Sequence, residues 1–174
     1  NPIEAGRLPD GSPDLFFRGF YCWNSEVGAK TLGMASFYLR AVCQNRNLWG
    51  VEDFEEITIR HSKYAANRFA HEAAPALLKF ANSSPMPFVN GIKAARERIV
   101  AKTDEDRTDF LRRRGFSKAE TGKIIDRVLA EEGRPPESIF DFVQGITALA
   151  QDKPHQDARL DLEAKAKKLL DRAA

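Results

Sequence analysis

Arginine and aromatic residues alternate through the first third of the chain, a pattern typical of proteins that bind single-stranded nucleic acid. Guanidinium groups pair with phosphates and exposed rings stack on bases, so this combination holds a strand without reading its sequence. We predict that the contacting residues are Arg18, Arg40, Arg46, Arg60, Lys63, Arg68 and Tyr38. In the alternative interpretation, the aromatic residues belong to the core and the arginines are only solvated.

A polar run, Asn24-Ser25-Glu26, lies beside these aromatic residues and could form part of a binding site. Asn and Ser side chains also bond to the local backbone in turns, so a turn that caps a strand explains the same residues. Gly28, two residues further on, permits the positive φ that such a turn can need. The run therefore predicts a turn, with or without a ligand.

Residues that could perform catalysis or bind a metal are few and scattered. No histidine pair has the spacing of a helical zinc motif, although His61 and His71 could converge with Glu72. Cys43 could act as a nucleophile, but it lies in an apolar run, and a buried structural cysteine is unreactive. We expect no metal and no other cofactor. An enzyme that uses His61, Glu26 and Cys43 is the alternative.

The composition is that of an ordinary globular chain. It has 174 residues, of which 43% are hydrophobic and 30% charged, and its net charge of +2 is too small to indicate a polyanion partner by itself. No apolar run approaches the roughly 20 residues that span a bilayer, so we expect a cytoplasmic protein without membrane contact. Because the chain begins with Asn1 rather than Met, we expect a fragment of a longer protein. Cys22 and Cys43 are expected to be buried free thiols.

Alternating apolar residues predict a small antiparallel sheet in residues 16–62. Residues 16–23 are apolar on both alternating faces, which is typical of a strand covered on both sides. In the next strand, the odd-numbered residues of 37–43 should face the core. A third strand should cover residues 54–61. Residues 1–15, rich in Pro and Gly, are expected to form a flexible arm.

Helical periodicity takes over in residues 63–174. Residues 16–174 are therefore predicted to form a single α+β domain, a sheet followed by five or six helices. The first helix, over residues 64–82, should kink or break at Pro75, because proline removes a backbone hydrogen bond and its ring meets the preceding turn.

Two segments of the helical half could also bind a partner. A helix that ends at Gly115, followed by a capping box at Ser117, resembles a helix-turn-helix unit with a basic patch of Arg112, Arg113, Arg114, Lys118 and Lys123. A later helix that begins after Ser138 carries Ile139, Phe142 and Ile146, a face on which a protein partner could dock if it were exposed.

Three segments stand out as a set: Asn24-Ser25-Glu26-Val27-Gly28, Tyr38-Leu39-Arg40-Ala41-Val42-Cys43-Gln44-Asn45 and Ile59-Arg60-His61. Together they resemble a phage/plasmid-like protein family classed as domain of unknown function 932. Arg46 and Asn47 depart from it, since the family usually has Gly there. The resemblance implies a mobile element, with DNA or a DNA-processing protein as partner, and no established reaction. It also implies that the motif residues act as binding residues rather than catalysts: Asn24, Ser25, Glu26, Arg40, Asn45, Arg60 and His61.

We therefore predict a non-enzymatic, DNA-associated protein of a mobile element that contacts single-stranded DNA through the Arg/aromatic face of its sheet. One alternative is an enzyme with a His/Glu/Cys or metal site. The other is a scaffold that binds a protein partner through its helical half.

Overall fold

The computed structural model describes residues 1–23, 32–41, 46–47, 57–60 and 62–173, and it has the α+β architecture predicted from the sequence. In these ranges the sheet has five antiparallel strands: β1 (Ile3–Arg7), β2 (Pro13–Trp23), β3 (Leu32–Arg40), β4 (Arg46–Asn47) and β5 (Ile57–Ile59). The order is β1-β2-β3-β4, and β5 also pairs with β3. Because β2 occupies one edge of β3, β4 and β5 follow one another along the other edge.

The prediction of a flexible arm over residues 1–15 is wrong, because this segment forms a hairpin with the next strand. β1 pairs with β2 so that Ile3 lies opposite Phe16, and Ile3 and Ala5 are buried. The residues that suggested a loop form the tight turn of the hairpin, in which Asp10 accepts hydrogen bonds from the backbone N–H and the hydroxyl of Ser12. The first residues therefore add a strand to the sheet.

Helices occupy the remaining two-thirds of the chain where the periodicity predicts them. They are α1 (Ala65–Asn82), α2 (Met86–Glu97), α3 (Asp104–Arg112), α4 (Lys118–Glu132), α5 (Ile139–Gln151) and α6 (Gln156–Asp171). Ser117 and Glu120 form the predicted capping box, and Gly133 ends α4 in the left-handed conformation. Among the described residues, no helix has both the length and the apolar character to cross a bilayer.

Pro75 does not break α1, which runs unbroken from Ala65 to Asn82. The proline removes the hydrogen bond that would reach back to the carbonyl of His71. Both Pro75 and His71 are exposed, so water can satisfy that carbonyl and the helix continues.

α5 is the central helix, since every residue of 139–150 is buried. A helix that is largely apolar on all sides packs inside a domain, and α5 contacts α4, α6 and α2. Ile139, Phe142 and Ile146 belong to this core. The face that was predicted as a docking surface for a protein partner is therefore not exposed.

The helices cover the face of β3 opposite to the one that was predicted to face the core. Tyr38 and Arg40 of β3 face the helices, and the Tyr38 ring stacks on Phe88 with 3.9 Å between ring centroids. Phe37 lies on the other face, where its ring is buried over Gly19. The ring fits there because Gly19 has no side chain: a Cβ at Gly19 would come within 2.5 Å of it. Phe37 and Tyr38 are neighbours that point to opposite faces of the sheet, and both are buried.

β2 is not covered on both sides as predicted. Phe17 and Phe20 are exposed, and so is Cys22, a free thiol that was expected to be buried. Cys43, for which the same prediction was made, lies outside the described residues.

Candidate nucleic-acid interface

Arg40 does not lie on a surface that a nucleic acid could reach. Its side chain is 1% exposed; Nε donates to both carboxylate oxygens of Asp14 at 2.9 Å, and Nη1 donates to Glu132 at 2.7 Å. Burial by itself lowers the pKa of Arg40, but the hydrogen bonds to the two carboxylates outweigh burial and raise the pKa above its ordinary value. Arg40 is therefore a fixed cation of the interior.

Arg96 of α2 completes this buried ion network. It donates to the second oxygen of Asp14, and its guanidinium lies 3.9 Å from the centroid of Phe140, over which Arg40 also lies at 5.0 Å. Burial lowers the pKa of Arg96, and repulsion from Arg40 adds to this effect while Asp14 opposes it. The network joins the sheet to α2, α4 and α5, and its charges are used for packing rather than for a ligand.

Two further predicted contacts are engaged within the protein, Tyr38 in the interior and Arg18 in a half-buried position. Tyr38 is buried between Phe80 and Phe88, so its ring cannot stack on a base. Arg18 donates to the carbonyl oxygens of Ala81 at 2.7 Å and Ser83 at 2.6 Å, and so satisfies carbonyl groups at the end of α1.

Arg46 and Arg60 lie at opposite ends of β3. Arg46 is opposite Leu39, whereas Arg60 follows Ile59, which is opposite Leu32. Seven residues of strand separate these positions by roughly 23 Å. The structure therefore does not bring the predicted cationic residues together on one face of the sheet.

The predicted polar cluster of Asn24, Ser25, Glu26, Asn45 and His61 lies outside the described residues. The same holds for Cys43, so three residues of the alternative enzyme site have no described position. Within the described ranges, no group of three or more His, Cys, Asp or Glu side chains is placed to hold a metal ion.

The remaining predicted cations gather where β5 leads into α1. Arg60, Lys63 and Arg68 are all exposed there, and between them lies Tyr64, whose side chain is 59% exposed. We name these four residues the α1 start cluster. Tyr64 belongs to the same alternating pattern of cations and aromatic residues, but Tyr38 is the ring predicted as a contact, because the sequence does not show which of the two rings is exposed.

Local structure fixes the geometry of the α1 start cluster. Ser62 accepts a hydrogen bond from the backbone N–H of Tyr64 at 3.3 Å. The backbone N–H of Arg68 donates to the carbonyl of Tyr64 at 3.0 Å, so the two side chains lie one helical turn apart on the same side of α1. The Lys63 ammonium lies 4.9 Å from the centroid of the Tyr64 ring. A ring and three cations therefore lie within the first helical turn and the connection that precedes it.

The electrostatics of this segment favour an anion. The sequence has no Asp or Glu in residues 57–71. α1 has no acidic residue in its first turn and no side-chain cap, so the positive end of the helix dipole is not neutralised locally. On the C-terminal side the next carboxylate is that of Glu72, which is exposed and lies 3.5 Å from Arg68, a weak surface pair. On the N-terminal side the sequence has Glu52, Asp53, Glu55 and Glu56, which lie outside the described residues.

Comparison of the chain with protein-family models, with curated proteins and with solved structures finds no significant match. The resemblance to the phage/plasmid-like family therefore stays a prediction.

Proposed function

We propose that this chain is a non-enzymatic, DNA-associated protein that contacts a single strand through the α1 start cluster. The observation that carries the proposal is the exposed Tyr64 ring between three exposed cations, Arg60, Lys63 and Arg68. An exposed aromatic ring can stack on any base, and flanking cations can pair with the phosphates on either side. The resemblance to proteins of mobile elements supports DNA as the strand.

The proposed interface differs from the predicted one in its stacking residue. The predicted interface placed Tyr38 and Arg40 on an open sheet face, but both side chains are buried. Lys63 lies over the Tyr64 ring at cation–π distance. A base that stacks on the ring would leave this ammonium beside the adjacent phosphate.

Fluorescence anisotropy with a labelled single-stranded DNA of mixed sequence tests the proposal. Tyr64→Ala should weaken binding about tenfold, because stacking on one ring contributes roughly 1–3 kcal/mol. Tyr64→Phe keeps the ring and should bind like the natural chain. Replacing Arg60, Lys63 and Arg68 together by Ala should reduce binding further.

The matched control for charge is the triple replacement of Lys79, Lys93 and Lys102 by Ala, which removes three exposed cations from α1, α2 and the segment before α3. This variant should bind within about twofold of the natural chain. Absence of binding by the natural chain at low salt would refute the proposal, and so would equal losses in the control and the cluster variants.

A further inference from the structure

A second concentration of positive charge lies in a groove between the α3–α4 turn and the last turns of α6. The groove encloses about 270 Å³ and is lined by Arg113, Arg114, Phe116, Lys165, Lys168, Leu169 and Arg172. We name it the α3–α6 groove. Arg113 and Arg114 belong to the basic patch noted in the sequence, whereas the other three cations come from the far end of the chain.

The five cations of the α3–α6 groove exceed the negative charge around them. Among the described residues, only Arg113 has a carboxylate partner, Asp109 at 3.2 Å. The carboxylate of nearby Asp106 accepts from the backbone N–H groups of Lys102 and Thr103 in the α3 cap. Four groove cations are therefore without a carboxylate.

Helix ends do not account for this surplus of charge. The groove lies at the carboxyl ends of α3 and α6, where cations suit the helix dipole. Each dipole end is equivalent to about half a negative charge, so two ends offset about one of the four uncompensated cations. The remaining positive charge favours an anionic ligand.

Two groove cations are held in place by buried rings. The Arg114 guanidinium lies 3.5 Å from the centroid of Phe110 and donates to the Phe110 carbonyl oxygen at 2.7 Å. The Lys165 ammonium lies 4.8 Å from the centroid of Phe116. Because these side chains are already positioned, an anion that binds them need not order them first.

The cations of the groove also repel one another. Burial lowers the pKa of Arg114, and the neighbouring charges of Arg172 and then Arg113 lower it further. The Nε atom of Arg114 is buried without a hydrogen-bond partner. An anion between α3 and α6 would relieve this repulsion, which is a physical reason for a ligand at this position.

The shape of the groove selects the class of anion. Its cations converge on one small space from two sides instead of following a line, as they would along a polymer. Phe116 is the aromatic residue among those that line the groove, and it is buried, so the lining offers no exposed ring to stack on a base. A phosphate monoester carries about 1.5 to 2 negative charges near neutral pH, whereas a backbone diester carries one.

We propose that the α3–α6 groove is a binding site for a phosphate monoester group, such as that of a mononucleotide or of a phosphorylated strand end. The site shares no residue with the α1 start cluster and does not depend on the function proposed for that cluster.

Isothermal titration calorimetry of the natural chain at low ionic strength tests the site with AMP, inorganic phosphate and adenosine. AMP and phosphate should bind, and adenosine should not. Replacing Lys168 and Arg172 together by Ala should weaken AMP binding at least tenfold. Both side chains are exposed, so the thermal midpoint should stay within a few degrees, and Lys168→Glu alone should give a loss in the same direction.

The control replaces Lys79 and Lys93 by Ala, which removes the same charge from α1 and α2 and should leave AMP binding unchanged. Equal binding of AMP and adenosine would overturn the proposal. So would an equal loss in the control and the groove variants, since the binding would then depend on net charge alone.

Two oligonucleotides that differ only in a 5′-phosphate identify the source of the monoester. If the phosphorylated strand gains affinity through Lys168 and Arg172, the natural ligand is a strand end. If only AMP and phosphate bind the groove, it is a small phosphorylated molecule. Loss of strand binding in Tyr64→Ala with unchanged AMP affinity would separate the groove from the α1 start cluster.

Discussion

At the scale of single residues, Arg40 shows how a predicted ligand contact can belong to the core. Its charge is paired with Asp14 and Glu132 and covered by the Phe140 ring. A buried charge that loses its partner costs far more than an exposed one, because neither water nor another cation can replace the partner fully. Arg40 and Arg60 look alike in the sequence, but the structure predicts opposite consequences for their removal.

Replacing Arg40 by Ala should lower the free energy of unfolding by about 3–5 kcal/mol, because among the described residues it leaves the buried carboxylate of Asp14 with Arg96 as its one cation. The matched control is Arg60→Ala, which removes an exposed arginine and should change stability by less than about 0.5 kcal/mol. Urea denaturation of both variants measures the difference. Similar stabilities for the two variants would show that Arg40 is accessible to solvent.

Asp141, the third residue of α5 and the acidic partner of Ser138 in its capping box, predicts how stability depends on pH. Burial raises the pKa of this carboxylate, but hydrogen bonds from Arg134 and from the backbone of Ser138 and Glu137 outweigh burial and hold the pKa below its ordinary value of 3.8. A depressed carboxylate pKa contributes stability that is present above the ordinary value and is lost as the pH falls through the folded-state value.

The variant Asp141→Asn should therefore be less stable than the natural chain at neutral pH, and the gap should narrow below about pH 4. Taking the difference between the two proteins removes the titration of other carboxylates, such as Asp106. Thermal midpoints between pH 2 and pH 7 provide the measurement. A gap that stays constant over this range would contradict the assigned role of the charge.

At the scale of elements, the contact between α4 and α5 depends on one glycine. A Cβ at Gly145 would lie 2.7 Å from the carbonyl oxygen of Ile124 and 2.8 Å from a methyl group of Val128. Gly122 of α4 is also within a helix, but a Cβ there would meet nothing within 4 Å. Alanine substitutions at the two positions therefore distinguish the effect of helix propensity from the effect of packing between helices.

Gly122→Ala should stabilise the chain by roughly 0.5–1 kcal/mol, because alanine forms helices better than glycine. Gly145→Ala gains the same propensity but should destabilise by about 1–3 kcal/mol, since the extra methyl group forces the helices apart. Chemical denaturation of the pair tests this. Stabilisation by both substitutions would show that α4 and α5 are not in close contact.

How much of these elements could be predicted depends on the range of the interactions that form them. The helices were predictable because periodicity and the Ser117 capping box are local signals. The buried face of β3 was not, because apolar Phe37 and amphipathic Tyr38 are both buried and Arg40 finds its partners 26 and 92 residues away along the chain. The hairpin of β1 was missed because its turn residues are also those of a loop.

The two candidate sites show the same limit. Arg60, Lys63 and Arg68 were predicted from neighbouring residues, and they remain together in the structure. Tyr64 could replace Tyr38 only after burial was known. The α3–α6 groove joins the α3–α4 turn to residues of α6 and its end more than 50 positions away, so charge counted along the sequence could reveal only its Arg113–Arg114 half.

For the whole molecule, the positions of the charged residues determine anion binding more than the net charge does. The net charge is only +2, yet the α1 start cluster and the α3–α6 groove each hold at least three cations, and among the described residues few of these cations have a carboxylate partner. Local fields of this kind attract anions even when the molecule is nearly neutral. Binding at both surfaces should therefore weaken with salt.

The salt dependence of single-strand binding shows whether the cations of the α1 start cluster pair with phosphates. Each phosphate contact to a single strand contributes about −0.7 to the slope of log affinity against log salt concentration. Replacing Arg60, Lys63 and Arg68 by Ala should make the slope shallower by about 2 if each cation pairs with one phosphate. An unchanged slope, with the triple variant binding as the natural chain does, would contradict the assignment of the α1 start cluster.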